Sequence, residues 1–291
     1  MTKEEKIAIE NELRSLAIDA EPRVLLDIAD HPDAPGDLVE EIIERAFAGD
    51  ASLMATLAGI RRLPEASARR IAEHPASGVR SRLATRRHGD LPDDVLLRLA
   101  KDEERHVRES LAWAGGRKLP LEALLILADD EDAVIRRLIA ENEGLPAAVL
   151  DRLASDVADG VRVAAAGNPA LSERKLRELS KDEFFVRRRI AERRDVPADV
   201  LADLARDPCQ AVRDRVAVNS STTPDSLGIL LGDDSNKIRA KALERLRRAS
   251  GHEAMEAIRA LMTLPLSNGA KKAIIKKISK ARDGASVPRS V

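Results

Sequence analysis

The chain has 291 residues, of which 34% are charged and 1% aromatic, with no Tyr; this excludes a large core built around aromatic side chains and leaves the packing to Leu, Ala, Val and Ile. Its formal net charge of −1 hides an asymmetry, since residues 1–60 carry five Lys/Arg against fourteen Asp/Glu while residues 265–291 carry seven against one, which makes the chain electrically polar along its length. A single cysteine, Cys209, excludes an internal disulfide, and no run approaches the roughly 18 apolar residues of a membrane span.

In chain order, residues 1–21 read as an N-terminal capping helix with polar faces, and its opening MTKEEKIAIENELRS lacks the apolar region of a secretion signal, so the expected location is cytoplasmic. From residue 22 to 249 one phrase recurs. Val-Arg or Ile-Arg stands at Val79-Arg80, Val107-Arg108, Ile135-Arg136, Val161-Arg162, Val186-Arg187, Val212-Arg213 and Ile238-Arg239, in steps of 28, 28, 26, 25, 26 and 26. Degenerate copies are anchored at Val24 and Leu53. A fixed period of this length is the signature of stacked repeats.

Each anchor opens a short helix, as in VRESLAWA, where Val107, Leu111 and Ala112 share one face. A turn follows, usually holding a proline, and the chain re-enters a helix with proline expected at its first position. LPDDVLLRLAKD illustrates the second helix, with Val95, Leu96, Leu99 and Ala100 toward the interior. Helices this short are marginal alone and must bury themselves against neighbouring units. The expectation is an all-α solenoid of about eight helix-turn-helix repeats of 25–29 residues.

Residues 250–283 read as basic C-terminal capping helices. Within them AKKAIIKKISKAR gathers Ile274, Ile275 and Ile278 on one side, which suits a cap, with contact to an anionic membrane or nucleic acid as the alternative. NGAKKA, at the start of that segment, places Gly269 and Lys271 where an anion is attracted, but without the rest of a phosphate motif it reads as a turn. Residues 284–291 are expected to form a disordered tail.

Two sets of charged residues are candidates for a role. The repeat arginines follow an Asp by six residues in Asp102/Arg108, Asp130/Arg136, Asp156/Arg162, Asp207/Arg213 and Asp233/Arg239, and by five in Asp182/Arg187. Charged groups between packed layers need partners, so these read as a structural ladder of arginine–carboxylate pairs, formed within or between units. Adjacent cations in the turns after the first helices, Arg61-Arg62, Arg86-Arg87, Arg117-Lys118 and Arg193-Arg194, would line one edge of a stack. With Arg82, Arg137, Arg188, Arg189 and Arg215 on the first helices and Trp113 beside them, they form a candidate binding ridge able to follow a phosphate backbone. Cations at helix C-termini are also favoured by the dipole alone, and Asn142-Glu143, Asn168-Pro169 and Asn219-Ser220 interrupt the series.

The phrase, in VLLDIADHPDAPGDL, VRVAAAGNPALSERKLRELSKD and VRDRVAVNSSTTPDSL, resembles the bacterial leucine-rich repeat variant family over roughly residues 22–246. The resemblance implies a right-handed superhelix of alternating α and short 3₁₀ helices, akin to HEAT and armadillo arrays. The first described member of that family also carries a cysteine-ligated iron–sulfur cluster. Four thiolates are needed for such a cluster and this chain has one, so the feature does not carry over; Cys209, in DPCQAVR, reads as a small turn residue.

No catalytic or metal motif is recognisable among the histidines, serines or glycines, and His31 stands where other units have Asn, which suggests a turn hydrogen bond. No catalytic, metal or cofactor residue is therefore assigned. The sequence points to a non-catalytic repeat scaffold for a macromolecular partner, a protein first. The alternative is a nucleic-acid-binding solenoid that uses the arginine ridge and the basic C-terminus, in the manner of HEAT-like DNA glycosylases but without evident catalytic residues. Those enzymes rely on aromatic side chains around the lesion, whereas this chain offers only Trp113, Phe47 and the pair Phe184-Phe185, the pair being read as inter-helix packing.

Overall fold

A computed structural model describes residues 2–18, 20–48, 63–85, 91–114 and 119–283. Every regular element among them is helical. They form two compact units, 1–149 and 150–291.

The short helices fall into two classes. Arginine helices begin just before each anchor: Ser77–Ala84, Arg105–Ala114 and Ala133–Ala140 in the first unit, then Asp159–Gly167, Phe184–Ala191, Gln210–Val218 and Asn236–Arg247 in the second. Their anchors Val79, Val107, Ile135, Val161, Val186, Val212 and Ile238 are all buried, as are the apolar residues four positions on, from Leu83 and Leu111 to Val216 and Ala242. The earliest copy differs, since Val24 in the helix Pro22–Ala29 is 40% exposed. The copy anchored at Leu53 lies outside the described residues.

Proline helices alternate with them: Glu65–Ala72, Asp93–Ala100 and Leu121–Ala128 in the first unit, then Glu173–Leu179, Ala198–Leu204 and Pro224–Leu230 in the second. Like Ala147–Leu153, they are α-helices of seven or eight residues, so the short 3₁₀ helices implied by the family resemblance are replaced by α-turns of nearly the same length as the arginine helices. The prolines also sit one position earlier than expected. Pro64, Pro92, Pro120 and Pro197 are N-caps with φ between −60° and −56° and ψ between 144° and 148°, an extended geometry that a proline ring already favours. Pro224 alone among these helices occupies the first turn, behind the Thr223 cap.

Within each unit arginine helices pack on arginine helices and proline helices on proline helices, giving two layers. In the second unit the layers continue into the longer final pair: Gly251–Thr263 packs on Pro224–Leu230, and Asn268–Asp283 on Asn236–Arg247. The first of these crossings is close because residue 228 is glycine. A Cβ there would collide with the Ala257 carbonyl oxygen. In the last helix Ile278 is buried, and Lys271 is also turned inward, its Nζ donating to the Met262 carbonyl at 2.7 Å; the lysine at the NGAKKA turn thus serves packing.

Candidate binding surface

The repeat arginines are fully engaged by the fold, between units of the repeat. Arg108 sends Nε and Nη2 to the Asp130 carboxylate at 2.7 and 3.2 Å, while Nη1 reaches the Asp102 carbonyl at 2.9 Å. Arg80 repeats this on Asp102 and on the His74 carbonyl, at 2.7, 2.8 and 2.8 Å. In the second unit the same three-point grip joins Arg162 to Asp182, Arg187 to Asp207 and Arg213 to Asp233, with Nη1 on the carbonyls of Asp156, Asp182 and Asp207. Arg136 and Arg239 hold the carbonyls of Asp130 and Asp233 likewise. The Asp six residues upstream therefore offers its backbone oxygen, and the carboxylate comes from the following repeat, about 20 residues downstream.

Each aspartate does a second job. Its Oδ1 accepts the backbone N–H at the start of the next turn, from Glu104 on Asp102, Asp132 on Asp130, Ala158 on Asp156, Cys209 on Asp207 and Ser235 on Asp233, an Asx-turn that fixes the entry to the arginine helix. Burial pushes the Asp102 and Asp182 carboxyls up, but the arginine forks and the N–H bonds outweigh it and hold both below the usual carboxylate value.

A second row of side chains closes the other turn, seven residues after the anchors. Asn219 donates from Nδ2 to the carbonyls of Ala191 and Arg193 and accepts the Ser221 N–H, and Arg245 reaches the Asn219 and Ser220 carbonyls. Asn168 accepts from Ala170 N–H. His31 occupies this register in the first unit and accepts the Asp33 N–H on Nδ1 at 3.1 Å, the turn role its position suggested. His74, at the aspartate register, does the same for Ala76.

Arg193 belongs to this row, which corrects its placement on an exposed ridge. It is buried, donates to the Ala166 and Asn168 carbonyls of the preceding repeat, and forks onto Asp195 at 2.9 and 2.6 Å. Its register was readable, since 193 lies 25 residues after Asn168 and 26 before Asn219, and Asp195 supplies the countercharge two residues on.

Of the remaining ridge candidates, Arg61, Arg62, Arg86, Arg87, Arg117 and Lys118 lie outside the described residues. Arg194 is exposed, and so is Trp113, at 58%. Arg82 is exposed as well. Arg137 pairs with Glu141 at 2.5 Å, while Arg188, Arg189 and Arg215 share the single carboxylate of Glu192 at 3.4, 3.6 and 3.2 Å. A groove of about 370 Å³ runs beside Glu192, Arg194, Arg215 and Val218. Phe185 is 52% exposed, its ring tilted against that of the half-buried Phe184 with centroids 3.8 Å apart, so the outer ring of the pair read as inter-helix packing faces solvent.

In the first unit a larger cleft of about 820 Å³ is lined by Glu73, His74, Arg80, Arg98, Lys101 and Glu103 among others. Its charges are matched, with Arg98 on Glu73 at 3.4 Å and Arg80 on Asp102. Cys209 caps Gln210–Val218 with its backbone, and no group of His, Cys, Asp or Glu among the described residues is arranged to hold a metal. No helix among them is long and apolar enough to cross a membrane.

Compared with solved structures, the chain is similar to a leucine-rich repeat variant described as having a novel repetitive structural motif, at 24% identity over 79% of this chain and 88% of that one, with a TM-score of 0.58. An engineered protein aligns over 96% of this chain and 99% of its own at 14% identity, with a TM-score of 0.38. A designed armadillo repeat protein in complex with a (KR)4 peptide aligns over 90% and 100% at 14% identity, with a TM-score of 0.22. No protein-family model and no curated protein matches the chain.

Proposed function

Starting from a chain with the fold of a leucine-rich repeat variant, we propose that it is a non-catalytic cytoplasmic scaffold that binds another protein. The observation that carries this reading is the exposure of large apolar side chains on three of the arginine helices. Trp113 and Val218 each stand six residues after an anchor and are 58% and 51% exposed, and Phe185, beside a third anchor, is 52% exposed. Exposed apolar side chains of this kind, set on packed helices, are what protein interfaces bury. The ladder arginines are held by their partners in the fold, so recognition falls to these exposed side chains.

The test is a photo-crosslinking amino acid at Val218 or Trp113 in cells that make the protein. A discrete protein adduct is expected; an adduct removed by nuclease, or none, would count against the reading.

A nucleic-acid partner is the second reading, favoured by one observation. Lys272, Lys276, Lys277 and Lys280 are exposed along the helix Asn268–Asp283 with no ion-pair partner among the described residues, a cationic stripe suited to phosphates.

A further inference from the structure

In the second unit three arginines converge on one carboxylate. Glu192 is shared by Arg188, Arg189 and Arg215, and one carboxylate neutralises only one of them. Arg194 adds a fourth charge, exposed and without an ion-pair partner among the described residues. The guanidinium of Arg189 sits against Gly167 of the preceding repeat, where a Cβ would collide with its Nε. Arg194 and Arg215 stand on the walls of the groove, and Val218 supplies its apolar wall.

We infer that this groove binds an acidic peptide segment of the protein partner, taking a carboxylate between Arg194 and Arg215 and an apolar side chain against Val218. The inference rests on the protein-scaffold reading above and names the class of partner segment. A guanidinium offers a carboxylate two parallel N–H donors, and Arg215 Nε already stands 3.2 Å from a carboxylate oxygen of Glu192. The surplus of charge draws in an anion, and the apolar wall selects its kind. A phosphate backbone is best met by an unbroken run of cations, whereas here Glu192 and Val218 interrupt the run. Carboxylates alternating with apolar side chains match that arrangement.

The experiment is a selection of random phage-displayed peptides on the intact chain, followed by fluorescence anisotropy of the selected peptides across a salt series. Labelled oligonucleotides are measured in parallel. The proteins compared are the natural chain, R194E/R215E, the milder R194Q/R215Q and E192Q. Selected peptides are expected to carry Asp or Glu next to large apolar residues and to bind more weakly as salt rises. R194E/R215E should weaken them at least about tenfold, and R194Q/R215Q, which sets no second carboxylate beside Glu192, should be intermediate with the unfolding midpoint unmoved. E192Q should tighten them, because the resident carboxylate no longer competes.

Peptides without acidic enrichment, or peptides bound equally by R194E/R215E, would overturn the groove assignment and leave the protein-scaffold reading standing. Oligonucleotides binding where no peptide does would overturn both. Binding of neither would overturn the groove, with the scaffold reading then resting on crosslinking at Trp113.

Discussion

Replacing Asp207 by Ala removes one rung of the ladder, and its cost can be worked from the hydrogen bonds that the carboxylate makes. Asp207 has a side chain only 3% exposed and accepts Arg187 Nε and Nη2 at 2.6 and 3.1 Å and the Cys209 N–H at 2.7 Å. Without it the Arg187 guanidinium, 17% exposed, keeps a single acceptor, the Asp182 carbonyl. Removing one member of a buried pair costs about 3–5 kcal/mol; the residual exposure of Arg187 sets the lower end, about 3, and the missing turn hydrogen bond adds about 1. The expected total of about 4 kcal/mol is a large part of a typical stability of about 5–15 kcal/mol. Urea unfolding of the full chain by far-UV circular dichroism measures it. Asp207→Asn, which keeps the turn acceptor, should cost about half as much, and R187M/D207A should cost about 2 kcal/mol less than its two single changes combined. A destabilisation below about 1 kcal/mol for Asp207→Ala, or strict additivity in the double variant, would refute a stabilising ladder.

Acid should weaken the stack in a defined window. Asp102 and Asp182 titrate below their unfolded value of 3.8, so the unfolded chain binds more protons there. Their contribution is complete above that value and is lost as pH falls through the lower folded values. Urea midpoints should therefore fall in this range, and Asp182→Asn should flatten the slope; an unchanged slope would contradict the pairing. Arg193→Ala should cost about 3 kcal/mol in thermal unfolding because it leaves the buried Ala166 and Asn168 carbonyls without their donor, whereas Arg194→Ala should stay within about 0.5 kcal/mol. Gly228→Ala reverses a general rule: alanine ordinarily stabilises a helix interior by about 1 kcal/mol, but here its Cβ would meet backbone of Gly251–Thr263, and a destabilisation of about 1–3 kcal/mol is expected. A raised unfolding temperature for Gly228→Ala would show that the crossing relaxes freely.

The repeat and its ladder were legible because the anchor, the arginine and the upstream Asp recur at nearly constant spacing, and only a stacked architecture gives such spacing a physical use. Which aspartate receives the fork was not legible. The upstream Asp is near Arg213 in sequence, yet the turn presents its carbonyl there, while Asp233 of the following repeat meets Nε and Nη2. Adjacent arginines 193 and 194 look alike as letters, and only the register shared with Asn168 and Asn219 separates the buried one from the exposed one. The groove was harder still, since its charge excess depends on three arginines from two helices sharing Glu192, a meeting that sequence spacing within one repeat does not reveal. The α-helical form of the proline helices escaped a reading guided by the family pattern, because α and 3₁₀ turns of this length differ by a single residue per hydrogen-bonded turn.

The central claim, that the repeat arginines serve the fold and the exposed surface serves a protein partner, is tested most directly by anisotropy of labelled single- and double-stranded oligonucleotides with the intact chain across a salt series. The account predicts weak binding at low salt, carried by the lysines of Asn268–Asp283 and gone at physiological ionic strength. Sub-micromolar binding that persists there, and that R194E/R215E abolishes, would contradict it and make this repeat stack a nucleic-acid reader.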